Sequence, residues 1–163
     1  MIAYAARKGG RPRYYANDHS RDTVVIDSHA MPLTDGRAAP PNLDAEGFAL
    51  VDLSTVAEAP DYRDAVIALV KAQTGADAVV ISAPGVKRFS ERSPSAATGN
   101  NSMPARFAHV DISDATAADF SARSAPKPYR RAAHYNGWRV LSAPPQDVPL
   151  AVCDARGDPF PDA

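Results

Sequence analysis

Proline is the feature that most restricts this chain. Fifteen of its 163 residues are proline, and each one fixes φ and removes a backbone donor. So wide a scatter interrupts long helices and favours turns and extended segments, which argues against a helical bundle. One stretch escapes the interruption: DYRDAVIALVKAQTG, residues 61–75. Tyr62, Ala65, Val66, Leu69 and Val70 recur there at helical spacing and make one apolar stripe. Asp61 is placed to cap the N-terminus, and Gly75 can adopt the left-handed conformation that closes the helix.

The rest reads as strands and loops. Residues 7–22, within an irregular N-terminal arm over 1–22, are basic, polar and aromatic by turns and read as a solvated lead-in. TVVID (23–27) suits a short strand and is followed by a proline-rich loop through Pro41. In GFALVDL (47–53), Ala49, Val51 and Leu53 form an apolar face at strand period. DAVVIS (77–82) reads as a buried strand. Residues 90–104 lack periodicity and read as a flexible loop, suited either to a lid or to a passive linker. Strands are expected over 105–112, 132–141 and 149–155, with a short helical or turn segment around Asp114–Ala122. The closing RGDPFPDA has loop composition. The sum is α+β: one helix packed on a mostly antiparallel β structure.

Length suits a single domain with a real core. Hydrophobic residues make up 45% and charged residues 23%, ordinary for a soluble globular protein. A net charge of −1 offers nothing to a nucleic acid or an anionic membrane. No apolar run is long enough to span a bilayer, and MIAYAARKGGRPRYY lacks a signal-peptide core. The single cysteine, Cys153, forms no internal disulfide and fits a reducing, cytoplasmic setting.

The chemistry concentrates in ARFAHVDISD, residues 105–114. Side chains two apart on a strand project the same way, so Phe107, His109 and Asp111 share a face. Ala108, Val110 and Ile112 point to the other. An imidazole and a carboxylate with backbones about 6–7 Å apart can both reach one cation. A non-haem Fe(II) site uses such a pair plus a second histidine, with positions left open. The bland alternative is the polar end of a buried strand, and spacing alone leaves both open.

Read together, RFAHVDIS, HYNGWRVLSAPPQDVPLAVCDAR, NLDAEGFALVD and the helix ending KAQTGADAVVI resemble the CmcJ/NvfI family of oxidoreductases. That family includes gibberellin-desaturase-like and cephem-methoxylase-related proteins. The matching motifs are His109-Val110-Asp111, then Asn136-Gly137-Trp138-Arg139, then the run from Pro145 to Asp154. The resemblance implies a double-stranded β-helix, or jelly roll, over residues 23–163. It also implies Fe(II) as metal, 2-oxoglutarate as co-substrate, and an oxygen-using hydroxylase or desaturase acting on a small molecule, often in secondary metabolism. His109 and Asp111 would be two of three iron ligands. Family members continue well past the position of Ala163, where a second histidine ligand and a late arginine for 2-oxoglutarate lie. A jelly roll needs eight strands, and about three follow His109 here. The chain is therefore expected to be the N-terminal part of such a domain, inactive alone and open to self-association through unpaired strand edges.

Other residues carry weaker expectations. Asn136 or Arg139 could hold a co-substrate or substrate carboxylate, Arg by bidentate pairing; the alternative is a structural Arg139 paired with Asp147 or Asp154. His134, His19 and His29 are possible replacements for the absent histidine, with His134 read rather as a satisfied core or rim residue. Trp138 reads as core packing and Cys153 as a buried small hydrophobe. Two further functions remain open: a non-catalytic jelly-roll remnant that binds a ligand or partner, and a cupin-like metalloprotein that needs no 2-oxoglutarate.

Overall fold

The chain opens on strand β1 (Ile2–Ala5), which pairs antiparallel with β2 (Ile26–His29). The register joins Ile2 to His29, Ala3 to Ser28, Tyr4 to Asp27 and Ala5 to Ile26. An Ala6 N–H to Val25 O bond of 2.8 Å continues it. Antiparallel pairs alternate between bonded and non-bonded. Ile2 and Tyr4 therefore turn their backbone groups to β2, while Ala3 and Ala5 turn theirs to the outer edge. Tyr4, Asp27 and His29 share one sheet face.

A computed structural model describes residues 1–16, 18–53, 62–90, 92–96, 103–146 and 149–157. The chain divides into two units. The first comprises Met1–Pro32, Ala83–Ala117 and Pro145–Val148, the second Leu33–Ser82, Ala118–Pro144 and Pro149–Ala163.

In the first unit, the segment before β2 is tied down rather than loose. Thr23 and Val24 donate to Arg13 O at 2.9 and 3.3 Å, and Arg13 N–H returns to Thr23 Oγ1 at 2.8 Å. Tyr15 N–H donates to Asp22 Oδ1 at 2.7 Å, and a 3-10 turn spans His19–Arg21. These bonds occupy Thr23 and Val24, so the strand expected over 23–27 begins later, at Ile26.

The second unit holds helices α1 (Leu43–Glu46) and α2 (Tyr62–Thr74). The apolar stripe of α2 is its half-buried face: Tyr62, Ala65, Val66, Leu69 and Val70 are all partly covered. Gly75 closes the helix at φ 65°, its N–H on Lys71 O at 2.9 Å. The expected Asp61 cap lies outside the described residues. Helix α3 (Asp114–Ser124) starts where Ser113 Oγ accepts the Thr116 N–H at 3.3 Å, an N-cap bond. The boundary between the two units falls within it.

Among the described residues β1 and β2 form a two-stranded sheet. Residues 47–53, 77–82, 105–112, 132–141 and 149–155 carry no strand ladder. Many of their apolar side chains stay open: Leu50, Val80, Val140, Leu150 and Val152 are exposed, while Phe48, Leu53, Val79 and Ile81 are only partly covered. Alternation makes a strand only where a partner covers one face and takes the backbone bonds. Trp138, expected in a core, is 53% exposed, and Cys153 is exposed too. Both sit in segments that carry no strand ladder.

Candidate metal centre

The outer edge of β1 positions the His-x-Asp segment. Ala108 N–H donates to Ala3 O at 2.8 Å, at the edge that the register leaves facing away from β2. One bond anchors the segment, and bends on either side stop it from continuing as a strand. Those bends have a local cause. His109 Nδ1 lies 2.9 Å from Phe107 O, a side-chain-to-backbone bond that competes with ladder formation.

Because a carbonyl oxygen only accepts, Nδ1 donates in that bond, and Nε2 is the ring nitrogen left to face Asp111. Nε2 lies 3.1 Å from Asp111 Oδ1. A metal with ligand bonds of about 2.1 Å places adjacent octahedral ligands roughly 3.0 Å apart. The pair therefore already has the spacing of two neighbouring corners. Its second requirement, an outer partner that fixes tautomer and ring orientation, is met by the Phe107 carbonyl. The donors fit Fe(II). With side chains 42% and 52% exposed, the pair leaves the remaining corners accessible.

Aromatic rings brace the imidazole. Phe107 meets His109 edge-on at 5.9 Å, Tyr14 meets Phe107 edge-on at 5.2 Å, and His19 stacks on Tyr14 at 5.4 Å. The arm that reads as a solvated lead-in thus supplies a wall of the site. A cavity of about 240 Å³ opens over the pair, lined by Tyr14, Ala16, Arg88, Ala105, His109, Val110 and Asp111. Arg88 is fixed by a 3.1 Å bond from Nη1 to Met103 O. Sequence reasoning missed Tyr14 and Arg88. Neither sits in a spacing pattern with His109, and only folding brings them to it.

The other histidines have different company. His29 Nε2 lies 3.0 Å from Asp27 Oδ2, with the Tyr4 ring at 5.7 Å. His19 Nδ1 lies 3.3 Å from Asp22 Oδ2, though without hydrogen-bond alignment. His134 Nε2 is 3.0 Å from Ser121 Oγ and beside Phe120. Among the described residues no three His, Cys, Asp or Glu side chains converge.

Asn136 and Arg139 belong to the second unit, and the cavity lining includes neither. The Arg139 guanidinium lies 5.3 Å from the Tyr62 ring centre, a cation–π contact. Asp154, one of the two carboxylates considered for it, is held instead by Arg156; Asp147 lies outside the described residues. Part of the 90–104 loop, residues 91 and 97–102, also lies outside them.

A family model described as "Oxidoreductase/YMDC permease-like domain" matches residues 2–162. Among the described residues no helix is long and apolar enough to cross a membrane. The chain is similar to the Fe(II)/2-oxoglutarate-dependent dioxygenase nvfI of Aspergillus novofumigatus (strain IBT 16806), 29% identical over 149 residues. The match covers 88% of this chain and 50% of that protein, so the chain spans about half the length of the curated relative. That relative bears one of the two names of the family its motifs resemble. No solved structure matches.

Proposed function

Because the chain belongs to the oxidoreductase/YMDC permease-like domain family, we propose that it supplies two iron ligands of a non-haem Fe(II)/2-oxoglutarate-dependent oxidoreductase. The reaction is the hydroxylation or desaturation of a small molecule of secondary metabolism, with dioxygen as oxidant. The supporting observation is the 3.1 Å between His109 Nε2 and Asp111 Oδ1, with Nδ1 held on the Phe107 carbonyl. The nvfI relative supports the choice of metal and co-substrate. A jelly-roll fold and a cytoplasmic place belong to the same proposal.

When bound, Fe(II) supplies the oxidative chemistry that no side chain can perform. The protein's residues do the rest. His109 offers a neutral nitrogen of fixed tautomer. Asp111 offers one negative charge and an oxygen at the adjacent corner. Phe107, itself braced by Tyr14, keeps the imidazole from rotating out of line, and the open side of the pair admits co-substrate and oxygen.

The test is an anaerobic titration of the whole chain with Mn(II), read by electron paramagnetic resonance, and with Fe(II). One ion per chain is expected. His109→Ala and Asp111→Ala should each weaken binding on the order of 100-fold or more, since even outer partners contribute 10–100-fold. Wild-type affinity in both variants would overturn the assignment.

A further inference from the structure

We propose that Asp22, distant in sequence from the His-x-Asp segment, is a positioning residue for His109 that acts through a relay of aromatic rings. The inference rests on the metal reading of His109 and Asp111. The loop that carries Asp22 is closed at its base: Thr23 N–H donates to Arg13 O at 2.9 Å, and Arg13 N–H donates to Thr23 Oγ1 at 2.8 Å. Inside that base the chain turns back on itself, with Asp18 N–H on Tyr15 O at 3.1 Å and Asp22 N–H on His19 O at 3.2 Å. Asp22 thereby returns to face Tyr15 and His19, and its side chain is only 10% exposed. Its two oxygens have separate tasks. Oδ1 accepts the Tyr15 N–H at 2.7 Å. That bond fixes the peptide plane joining Tyr14 to Tyr15, and with it the direction in which the Tyr14 side chain leaves the backbone. Oδ2 lies 3.3 Å from His19 Nδ1, and the His19 ring stacks on Tyr14 at 5.4 Å. One carboxylate thus holds both the backbone that carries Tyr14 and the ring that lies against it.

From Tyr14 the contacts run to the ligand. Tyr14 meets Phe107 edge-on at 5.2 Å, and Phe107 meets His109 edge-on at 5.9 Å. Edge-to-face pairs have a preferred geometry, so displacing one ring shifts the best position of the next. The Ala108 N–H on Ala3 O anchors the backbone of the segment, whereas the imidazole is oriented by the Phe107 carbonyl and the Phe107 ring. Asp22 therefore reaches the metal pair by way of Phe107. The competing account gives Asp22 a role in the fold of the arm alone. The two differ in one respect: only the relay needs the Phe107 ring.

A double-mutant cycle with Phe107→Ala tests this on the whole chain. It is read by Mn(II) titration and by the imidazole proton shifts of His109 in the metal-free protein, assigned with His109→Ala. With Phe107 present, Asp22→Ala should weaken Mn(II) binding roughly fivefold, less than the loss of an outer partner in direct contact with a ligand, and should move the His109 ring signals. In the Phe107→Ala background the same substitution should change neither, because the relay is already cut. Asp22→Asn keeps an acceptor for the Tyr15 N–H and loses the charge facing His19. Its effect should be smaller and equally dependent on Phe107, which decides the matter if Asp22→Ala does not fold. Equal losses in both backgrounds would overturn the inference, since an Asp22 that serves only the arm acts whether or not the ring is there. So would wild-type affinity with unmoved His109 signals in Asp22→Ala. Failure of Mn(II) to bind the wild type would defeat the metal reading, and the Phe107-dependent shift of the His109 ring signals would then decide the relay by itself.

Discussion

Two parts of this molecule use charged side chains in opposite ways. In the second unit, Asn42, Glu46, Asp154 and Arg156 satisfy one another. Asn42 Oδ1 accepts the Asp44 and Ala45 N–H groups at 2.8 and 3.1 Å, and Glu46 Oε2 accepts the Asn42 N–H at 2.7 Å. Gly47 then ends α1 at φ 81°. Arg156 reaches Glu46 Oε1 at 3.0 Å and forks onto both oxygens of Asp154, while Ala155 N–H donates to Glu46 O at 3.0 Å. The charged groups of this clamp end on one another or on the backbone, and the two chain segments are joined by it. In the first unit, His109 and Asp111 meet at ligand spacing but border an open cavity with Arg88. The clamp is a closed set and the cavity an open one. Closed sets stabilise; open sets bind.

The largest effect separates the two by ligand. Asp111→Asn keeps the shape of the side chain and removes its charge. It should weaken divalent-metal binding on the order of 100-fold while moving stability by no more than about 0.5 kcal/mol, as expected for a half-exposed position. Phe107→Ala should follow, costing about tenfold in metal affinity, because the ring that aligns His109 is lost while its backbone carbonyl remains. Both are read by metal titration beside a denaturation curve. If either variant lost stability and kept its metal affinity, the cavity would be the structural region and the contrast would reverse.

Helix α2 and the pairing of His109 with Asp111 were legible in the sequence for one reason. Both depend on spacing within a few residues: i, i+3, i+4 on a helix and i, i+2 on an extended segment. Gly75 was legible because its left-handed turn is a property of one residue. The strands were not. A ladder needs a partner distant in sequence, and the alternation in GFALVDL or the apolar run in DAVVIS states only that a face is available. Trp138 and Cys153 misled for the same reason: apolar character indicates what can be buried, not what is. Tyr14 and Arg88 were invisible because their place is set by the Phe107 contact and the Met103 carbonyl, which no local pattern encodes. Arg156 stands in one of the family-like stretches, but its partner, Glu46, lies far from it in sequence.

Smaller effects probe the clamp. Gly47→Ala meets two obstacles at once: a left-handed backbone and a Cβ only 3.2 Å from that of Ala155. The conformation alone costs about 1–2 kcal/mol, which for a chain of this size lowers Tm by a few degrees, roughly 2–4 °C per kcal/mol. Asn42→Ala removes the cap of α1 and should cost about 1 kcal/mol. Metal affinity should be unchanged in both. Loss of metal binding in Gly47→Ala would show that the clamp supports the site and that closed and open sets are not independent.

The smallest expected effect, and the most diagnostic of how the clamp works, is its response to acid. Hydrogen bonds from the Arg156 side chain and backbone hold the Asp154 carboxyl below the ordinary carboxylate value, and the same contact, with help from Glu46, raises the Arg156 guanidinium. A carboxyl with a depressed native pKa binds protons more weakly folded than unfolded. Its contribution to stability is therefore fully present above the unfolded value, about 3.9, and is lost as pH falls through the native one. Arg156 stays charged throughout this range, so the change belongs to Asp154. The group is exposed, and salt should shrink the effect. Denaturation midpoints of the wild type and Asp154→Asn, compared at successive pH values, should differ by a small constant amount near neutrality and converge below about pH 4. Arg156→Gln should shrink the pH-dependent part of that difference, because it removes the guanidinium bonds that are the largest cause of the shift and leaves the backbone N–H in place. A gap between wild type and Asp154→Asn that persisted undiminished in acid would mean that Asp154 acts through the shape of its turn, accepting the Arg156 backbone N–H at 2.9 Å, rather than through its charge.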